Sequence, residues 1–311
     1  MRHVNDLLDF STTDLTEIID CAIAIKASPN DYREALSSKS LAMLFQKTST
    51  RTRVSFEVAM TELGGHAIYM DWQTSNFILT DLAYEIEYLS RNVQIIMARL
   101  LSNEDFQIMA KASQVPMING CCDRYHPCQA LTDVLTMIEH SAKPLNDIHL
   151  LYSGVQNNVS NSLVLMADRL GFSLTLATPE TQTSAASYDI QLQAIILENP
   201  KIRRVDDPRI AIDAADFIYT DTWIDMQFFN DPKKSAEKAA LLTKMQPFQI
   251  NEPLIEDRNI LIMHDMPIHN DYEITPGLVR DPRSIIFNQA ANRLHAQKGL
   301  LYWLLSHQPS T

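Results

Sequence analysis

The stretch Phe45-Gln46-Lys47-Thr48-Ser49-Thr50-Arg51-Thr52-Arg53 decides how this chain is read. It follows the apolar run Leu41 to Phe45, which reads as a buried strand. It opens Val54 to Leu63, which reads as a helix stopped by Gly64-Gly65. A strand entering a helix through a short polar loop begins a βα unit. The loop's position also gives it chemistry, because a helix N-terminus offers unpaired N–H groups and a partial positive charge to an anion. Ser49, Thr50 and Thr52 add hydroxyl donors, and Arg51 and Arg53 add planar guanidinium forks that suit phosphate oxygens. Neither glycine-rich phosphate signature is present, so side chains as well as backbone would hold the anion. The plainer alternative is a Ser/Thr helix cap followed by solvated arginines.

Outward from this loop the same alternation continues. Strands are expected at Ala67 to Met70, Val93 to Ala98 and Val115 to Ile118, and helices at Asp81 to Ser90 and Glu104 to Ala112. A long helix, Pro127 to His140, leads to a loop at Ser141 to Asn146 whose Lys143-Pro144 marks a domain boundary. The pattern then restarts with strand His149 to Tyr152, helix Asn158 to Leu170 and strand Ser173 to Ala177. Later strands fit Ile202 to Val205, Phe217 to Thr220 and Ile260 to Met263, and Gln289 to Leu305 is a closing helix. The fold class is α/β, with two similar-sized domains, each a mostly parallel sheet flanked by helices. One large doubly wound sheet is the alternative.

Composition narrows the function. The chain has 311 residues, of which 46% are hydrophobic, enough for about two domains with sizeable cores. Its net charge of −12 argues against a general binder of nucleic acid or anionic membranes, but not against a local basic pocket. Apolar runs such as Val93 to Met97 are far shorter than the roughly 20 residues of a bilayer span. Met1 to Asp6 carry no signal-peptide pattern. Cys21, Cys121, Cys122 and Cys128 show neither a Cys-x-x-Cys pair nor metal-ligand spacing. Reduced thiols in a cytoplasmic protein, with no metal and no cofactor, are the expectation.

The run Phe-x-Lys-Thr-Ser-Thr-Arg-Thr-Arg, followed by Ser55-Phe56-Glu57 and Leu63-Gly64-Gly65, closely resembles the transcarbamylases, the aspartate and ornithine carbamoyltransferases. Lys47-Thr48 is more similar to the ornithine branch. The resemblance continues through Arg99, through His126-Pro127-Cys128-Gln129, and through Asn157-Asn158 within Gln156 to Ser162. It continues further in Asp221-Thr222-Trp223, His264-Asp265-Met266-Pro267 and Gln289-Ala290-Ala291-Asn292-Arg293. It implies a carbamoyl-phosphate domain over 1–140, joined by a returning C-terminal helix over 288–311. It also implies an amino-acid (ornithine) domain over 146–287 and a trimeric catalytic unit.

By this resemblance Ser49, Thr50 and Arg51 hold the phosphate end of carbamoyl phosphate, with Thr52, Arg99 and His126 at the carbonyl oxygen and Pro127, Cys128, Gln129 and Arg293 beside them. Asn76, Asp265 and Met266 complete that set. Catalysis is expected from Arg51, Thr52, Arg99, His126, Gln129 and Asp265, through placement and charge stabilisation without a covalent intermediate. Arg53 reads as a structural support and Cys128 as a packing residue. Each polar residue also has a bland reading: His126 as a turn residue, Arg99 as a surface ion pair, Arg293 as solvated on its helix.

Ornithine is expected at Asn158, Asp221, Asp225 and Met226, and here the pattern departs. Asp225 stands where the family has Ser, and Asp265 where it has Cys. Asp265 would hold an ammonium or accept its proton, or it is a turn carboxylate bonded to backbone. The segment Trp72 to Asp81 lacks the family's lysine, with Asn76 or Ser75 in place of its Gln. The expected reaction is carbamoyl phosphate plus L-ornithine to L-citrulline and phosphate. A carbamoyltransferase for a diamine or modified amino acid, or a non-catalytic carbamoyl-phosphate binder, remains open.

Overall fold

The computed structural model describes residues 2–179, 188–224 and 235–307. In chain order its strands are β1 (Ser40–Phe45), β2 (His66–Asp71), β3 (Ile95–Arg99), β4 (Met117–Cys121), β5 (His149–Ser153), β6 (Ser173–Ala177), β7 (Ile202–Val205), β8 (Phe217–Thr220) and β9 (Leu261–His264). The helices are α1 (Thr12–Ala27), α2 (Thr50–Glu62), α3 (Leu82–Ser90), α4 (Asn103–Ala112), α5 (Pro127–His140), α6 (Asn158–Leu170), α7 (Ile190–Glu198), α8 (Ser235–Met245), α9 (Glu252–Ile255), α10 (Pro276–Val279) and α11 (Ile286–Ser306). The chain divides into two units, Met1–Thr136 with Ala291–Thr311, and Met137–Ala290. Each holds one parallel sheet, four-stranded in the first and five-stranded in the second.

In the first unit the strand order is β2-β1-β3-β4. Central β1 is buried from Leu41 to Phe45 and β3 from Ile95 to Ala98, so both read as continuous apolar runs; edge β2 is half exposed. Ile86 of α3 and Phe106 and Met109 of α4 pack on Ala42, Leu44, Ile96 and Ala98. A side chain as fully buried as Phe106 contributes about 1.5–3 kcal/mol. Helix α1 starts on a capping box, Ser11 with Asp14. Helix α11 lies against it so closely that a Cβ at Gly299 would sit 2.6 Å from the Ile18 carbonyl oxygen. Lys26 donates to Asn292, and Trp303 Nε1 donates to Glu17, which fixes the register of that contact.

Helix α2 begins at Thr50, four residues before the sequence expectation. Ser49 is its N-cap, so Arg51 and Thr52 belong to its first turn rather than to the loop. At the other end Gly64 takes φ +81°, a left-handed turn that suits glycine. The β3–β4 register shifts between Ala98 and Arg99, where Arg99 pairs with Cys121. Cys121 has φ +159°. Such an irregularity re-aims a strand end, and here it lies beside Arg99.

In the second unit the order is β7-β6-β5-β8-β9. Leu151, Ile218 and Ile262 of its strands pack with Trp223, Met245, Phe248 and Ile255. Asn157 caps α6 through the backbone N–H groups of Val159 and Ser160, and Gly171 closes it. Five helices had no counterpart in the sequence expectation: α1, α7, α8 and the single-turn α9 and α10. Among the described residues no helix is long and apolar enough to cross a membrane.

Candidate active site

Both sheets reverse their order of strand addition once, and ligands of open α/β sheets bind beyond the strand ends at such a point. In the first unit the reversal lies between β1 and β3. The end of β1 leads into the Gln46–Ser49 loop, and β3 ends at Arg99. Gln46 ties the two: its N–H donates to the Arg99 carbonyl at 2.9 Å, and its Oε1 accepts from Leu101 N at 2.7 Å.

Thr52, fully buried in the first turn of α2, is the centre of the resulting cluster. Its Oγ1 accepts from Ser49 Oγ at 3.0 Å, Arg293 Nη2 at 3.0 Å and Arg99 Nη1 at 3.4 Å. A hydroxyl oxygen has two lone pairs, so the 3.4 Å Arg99 contact is the weakest of the three. Arg293 also donates through Nη1 to Gln129 Oε1 at 2.5 Å, and Gln129 Nε2 donates to Asp133 at 2.8 Å. Arg99 Nε is buried with no hydrogen-bond partner, so this guanidinium has donor capacity that an anion can take up.

His126 precedes α5 and is buried. The Gln129 N–H approaches its Nδ1 at 3.3 Å, which places the ring proton on Nε2. Burial first, and then the charges of Arg293, Arg99, Lys47 and Arg51, hold its pKa well below the usual histidine value. It is therefore a neutral donor. Cys128 Sγ donates to the Asn119 carbonyl at 3.5 Å, and burial pushes its thiol up to about 12, which makes it no nucleophile.

Not every expected residue joins this group. Arg53 turns away, with its guanidinium 3.8 Å over the Tyr69 ring and 3.0 Å from Glu57. Asn76 opens a short turn in the segment held by the stacked Trp72 and Phe77 rings, and makes no hydrogen bond to the Thr52 cluster. Ser49 is the α2 cap, Thr50 is exposed and Arg51 half buried. Pro127 and Cys128 begin α5. Asp265 and Met266 belong to the second unit.

In the second unit the reversal lies between β5 and β8. Asn157, beyond β5, donates to Asp221 Oδ2 at 2.5 Å, beyond β8. Asp221 Oδ1 accepts from Thr222 N at 2.6 Å. Asp265, after β9, converges on the same place: ligand atoms of Asp221, Asp265 and His264 all lie within 4.8 Å of one another. His264 is fully buried. Its Nδ1 accepts from Met266 N at 2.8 Å, so Nε2–H faces Glu273 at 3.2 Å. Both ring nitrogens are thus engaged, which makes the trio a poor metal cage and the carboxylate pair a place for an ammonium. Tyr152 reaches Asn157 Oδ1 at 3.3 Å, and burial, then Asp221 and Asp265, raise its pKa well above the usual value.

Asn158 starts α6 half buried, with its carbonyl accepting from Ser162 Oγ at 3.0 Å. Asp225 and Met226 lie outside the described residues. Residues the sequence reading did not select include Asn157, His269 and Glu273. Glu273 is fully buried and accepts from the His269 backbone as well as facing His264. The signal was in the sequence: Asn157 stood in the Asn157-Asn158 pair, and His264, Asp265, His269, Asn270, Asp271 and Glu273 crowd the ten positions from the end of β9.

The cluster of the first unit is basic and hydroxyl-rich and suits an anion, and that of the second unit is carboxylate-rich and suits a cationic nitrogen. Comparison with known proteins gives the family. Residues 2–139 match the aspartate/ornithine carbamoyltransferase carbamoyl-P binding domain, and residues 146–304 match the Asp/Orn binding domain of the same family. An ornithine carbamoyltransferase of Archaeoglobus fulgidus is 38% identical over 99% of both chains, and one of Nitrobacter winogradskyi is 38% identical over 98% of this chain and 97% of its own. The solved structure of the Pyrococcus furiosus ornithine carbamoyltransferase superposes with a TM-score of 0.89 at 35% identity, covering 99% of this chain and 98% of that one. The chain belongs to the aspartate/ornithine carbamoyltransferase family, and it is a carbamoyltransferase.

Proposed function

We propose that the chain transfers the carbamoyl group of carbamoyl phosphate to L-ornithine, giving L-citrulline and phosphate, in arginine metabolism. The observation that carries the donor is the convergence of Ser49, Arg99 and Arg293 on Thr52 Oγ1, beside neutral His126 and Gln129. Ser49, Thr50 and Arg51, at the start of α2, hold the phosphate and stabilise its leaving charge. The Thr52 hydroxyl, Arg99 and His126 Nε2–H donate to the carbonyl oxygen as negative charge develops there. Gln129 orients the carbamoyl NH2, and Arg293 fixes Gln129 and Thr52.

The acceptor reading rests on the second unit. Asp221 and Asp265 supply two converging carboxylates for cationic nitrogen, and Asn158, Asp225 and Met226 complete the ornithine site. Asp265 accepts a proton from the attacking amine. The ornithine carbamoyltransferase names of relatives 38% identical over nearly the whole chain support ornithine. The paired carboxylates also suit a diamine, which is the second reading. Phosphate and citrulline release measured with ornithine, putrescine, acylated ornithines and aspartate decides between them. A higher kcat/KM for putrescine overturns ornithine, and no turnover with any amine overturns the enzyme reading.

We place the protein in the cytoplasm as a homotrimer or a multiple of trimers. The four free cysteines support a reducing compartment. Exposed Val54, Ile68, Ile78 and Leu79 on and beside edge strand β2 support an assembly surface, with Asn76 in the same segment available to a neighbouring copy.

A further inference from the structure

The first unit contains a cavity of about 410 Å3 away from the Thr52 cluster, between the segment before α1 and the face of α4. Its size is that of a small-molecule site. Phe10, Phe106 and Ala110 give it apolar walls, and both phenylalanines are almost fully buried in the fold. Arg2 and Lys111 give it cations, against one carboxylate, Asp9. Arg2 is anchored by Asp14 at 2.5 Å and lies 5.8 Å from the Phe10 ring centre. Lys111 forms no ion pair among the described residues. In a chain of net charge −12, an apolar cavity with cations at its edge selects a molecule that joins an apolar body to a carboxylate.

The cavity is wired to the carbamoyl-phosphate half-site through Asn103 and Asn119. Asn103, 2% exposed, accepts from Gln107 Nε2 at 3.1 Å and donates to Asn5 Oδ1 at 2.7 Å; Gln107 and Asn5 both line the cavity. On its other side Asn103 donates through its backbone to Asp123 Oδ1 at 2.8 Å and through its amide to Cys122 Sγ at 3.4 Å. Asn5 also accepts, through its carbonyl, from Asn119 at 2.9 Å, and Asn119 holds the Cys121 N–H at 3.0 Å. Residues 121–126 form the segment that ends in His126. A molecule pressing on Asn5 and Gln107 therefore acts on the segment that positions the carbonyl donor.

We propose that this cavity is an effector site for a small apolar carboxylate, and that its occupancy changes the affinity for carbamoyl phosphate. Simple acids and apolar amino acids share the required carboxylate, and Asp9 discriminates them by accepting an ammonium. The test uses the full chain, with calorimetric titration and steady-state kinetics in parallel. The probes are phenylacetate, L-phenylalanine and, as a cationic control, phenethylamine. Expected is saturable binding of one or both carboxylates, no binding of the amine alone, and a shift in KM for carbamoyl phosphate of about fivefold at saturation. Ala110→Phe fills the cavity and abolishes binding. Lys111→Glu, on the exposed edge and harmless to folding, weakens it at least about tenfold. Stronger binding of phenethylamine, no binding of either acid, or binding indifferent to both variants overturns the proposal. Binding without a change in KM overturns the coupling. Calorimetry reads the site even if no amine is carbamoylated, so its failure is distinct from failure of the proposed activity.

Discussion

Replacing Asp265 by Asn should make the protein more stable and a poorer binder of its amine. Ligand atoms of Asp221 and Asp265 lie within 4.8 Å of one another. At an effective dielectric constant of 20, two like charges at that distance repel by about 3 kcal/mol. Asp265 keeps 12% of its side chain exposed, so water reduces the figure, and relief of about 1 kcal/mol is a reasonable expectation. With an ammonium bound, the same carboxylate contributes attraction of similar origin, worth about 2 kcal/mol after the same discount. The asparagine variant should therefore raise KM for the amine by about thirtyfold while raising the melting temperature by a few degrees. Steady-state kinetics with each substrate varied in turn, alongside thermal unfolding without ligands, provides both readings. A KM for the amine that stays put while KM for carbamoyl phosphate rises would refute the assignment. So would a fall in melting temperature, because it would make Asp265 a turn carboxylate that the backbone needs.

Arg293→Met removes both guanidinium bonds, to Gln129 and Thr52, and should lower kcat/KM about a hundredfold, the scale of misplacing groups that meet the substrate. It also deletes the largest charge acting on His126, so the acid limb of the pH–rate profile should move up; an unmoved limb would count against His126 as the carbonyl donor. His126 is buried neutral with a folded pKa below the unfolded value near 6.5, so its contribution is complete above that value and is lost as pH falls towards the folded pKa. Denaturant titrations between pH 6.5 and 5 should show His126→Asn losing stability less steeply than the parent, by up to about 1.4 kcal/mol per pH unit. Gly299→Ala forces a Cβ to within 2.6 Å of the Ile18 carbonyl and 2.7 Å of the Ala22 nitrogen. It should cost about 1–3 kcal/mol in unfolding free energy, and an unchanged melting temperature would mean the α1–α11 contact is looser than described.

The sheets were legible because their strands are short apolar runs separated by helices of different period. The central strands β1 and β3 stand out most, being buried along almost their whole length. Helix α1 stands outside the strand–helix alternation, although Ser11 and Asp14 form a capping box and Leu15, Ile18, Ala22 and Ile25 recur at helical spacing. The start of α2 was misplaced because Arg51 and Thr52 look like loop chemistry; the Ser49 cap turns them into helix residues whose side chains still serve an anion. The start of the basic half-site was readable as one contiguous motif, Ser49 to Thr52, whereas Arg99, Gln129 and Arg293 were reached through separate motifs and meet it only through the fold. The carboxylate half-site was harder, because Asp221 follows β8 while Asp265 and Glu273 follow β9. What unites them is the strand order, which no single stretch of sequence encodes.

Arg293 meets Thr52 across 241 positions of chain. At roughly 5–20 residues per second of synthesis, a nascent chain would wait on the order of ten to fifty seconds between making Thr52 and making its partner. During that interval the first sheet has all four of its strands, but the oxygen at its heart lacks one of its three donors. Folding of the sheet and completion of the pocket are thus separate events in the life of the polypeptide. A partially made chain could collapse around its sheet without gaining the full grip on the anion, and docking of α11 is the step that turns a folded domain into a finished one.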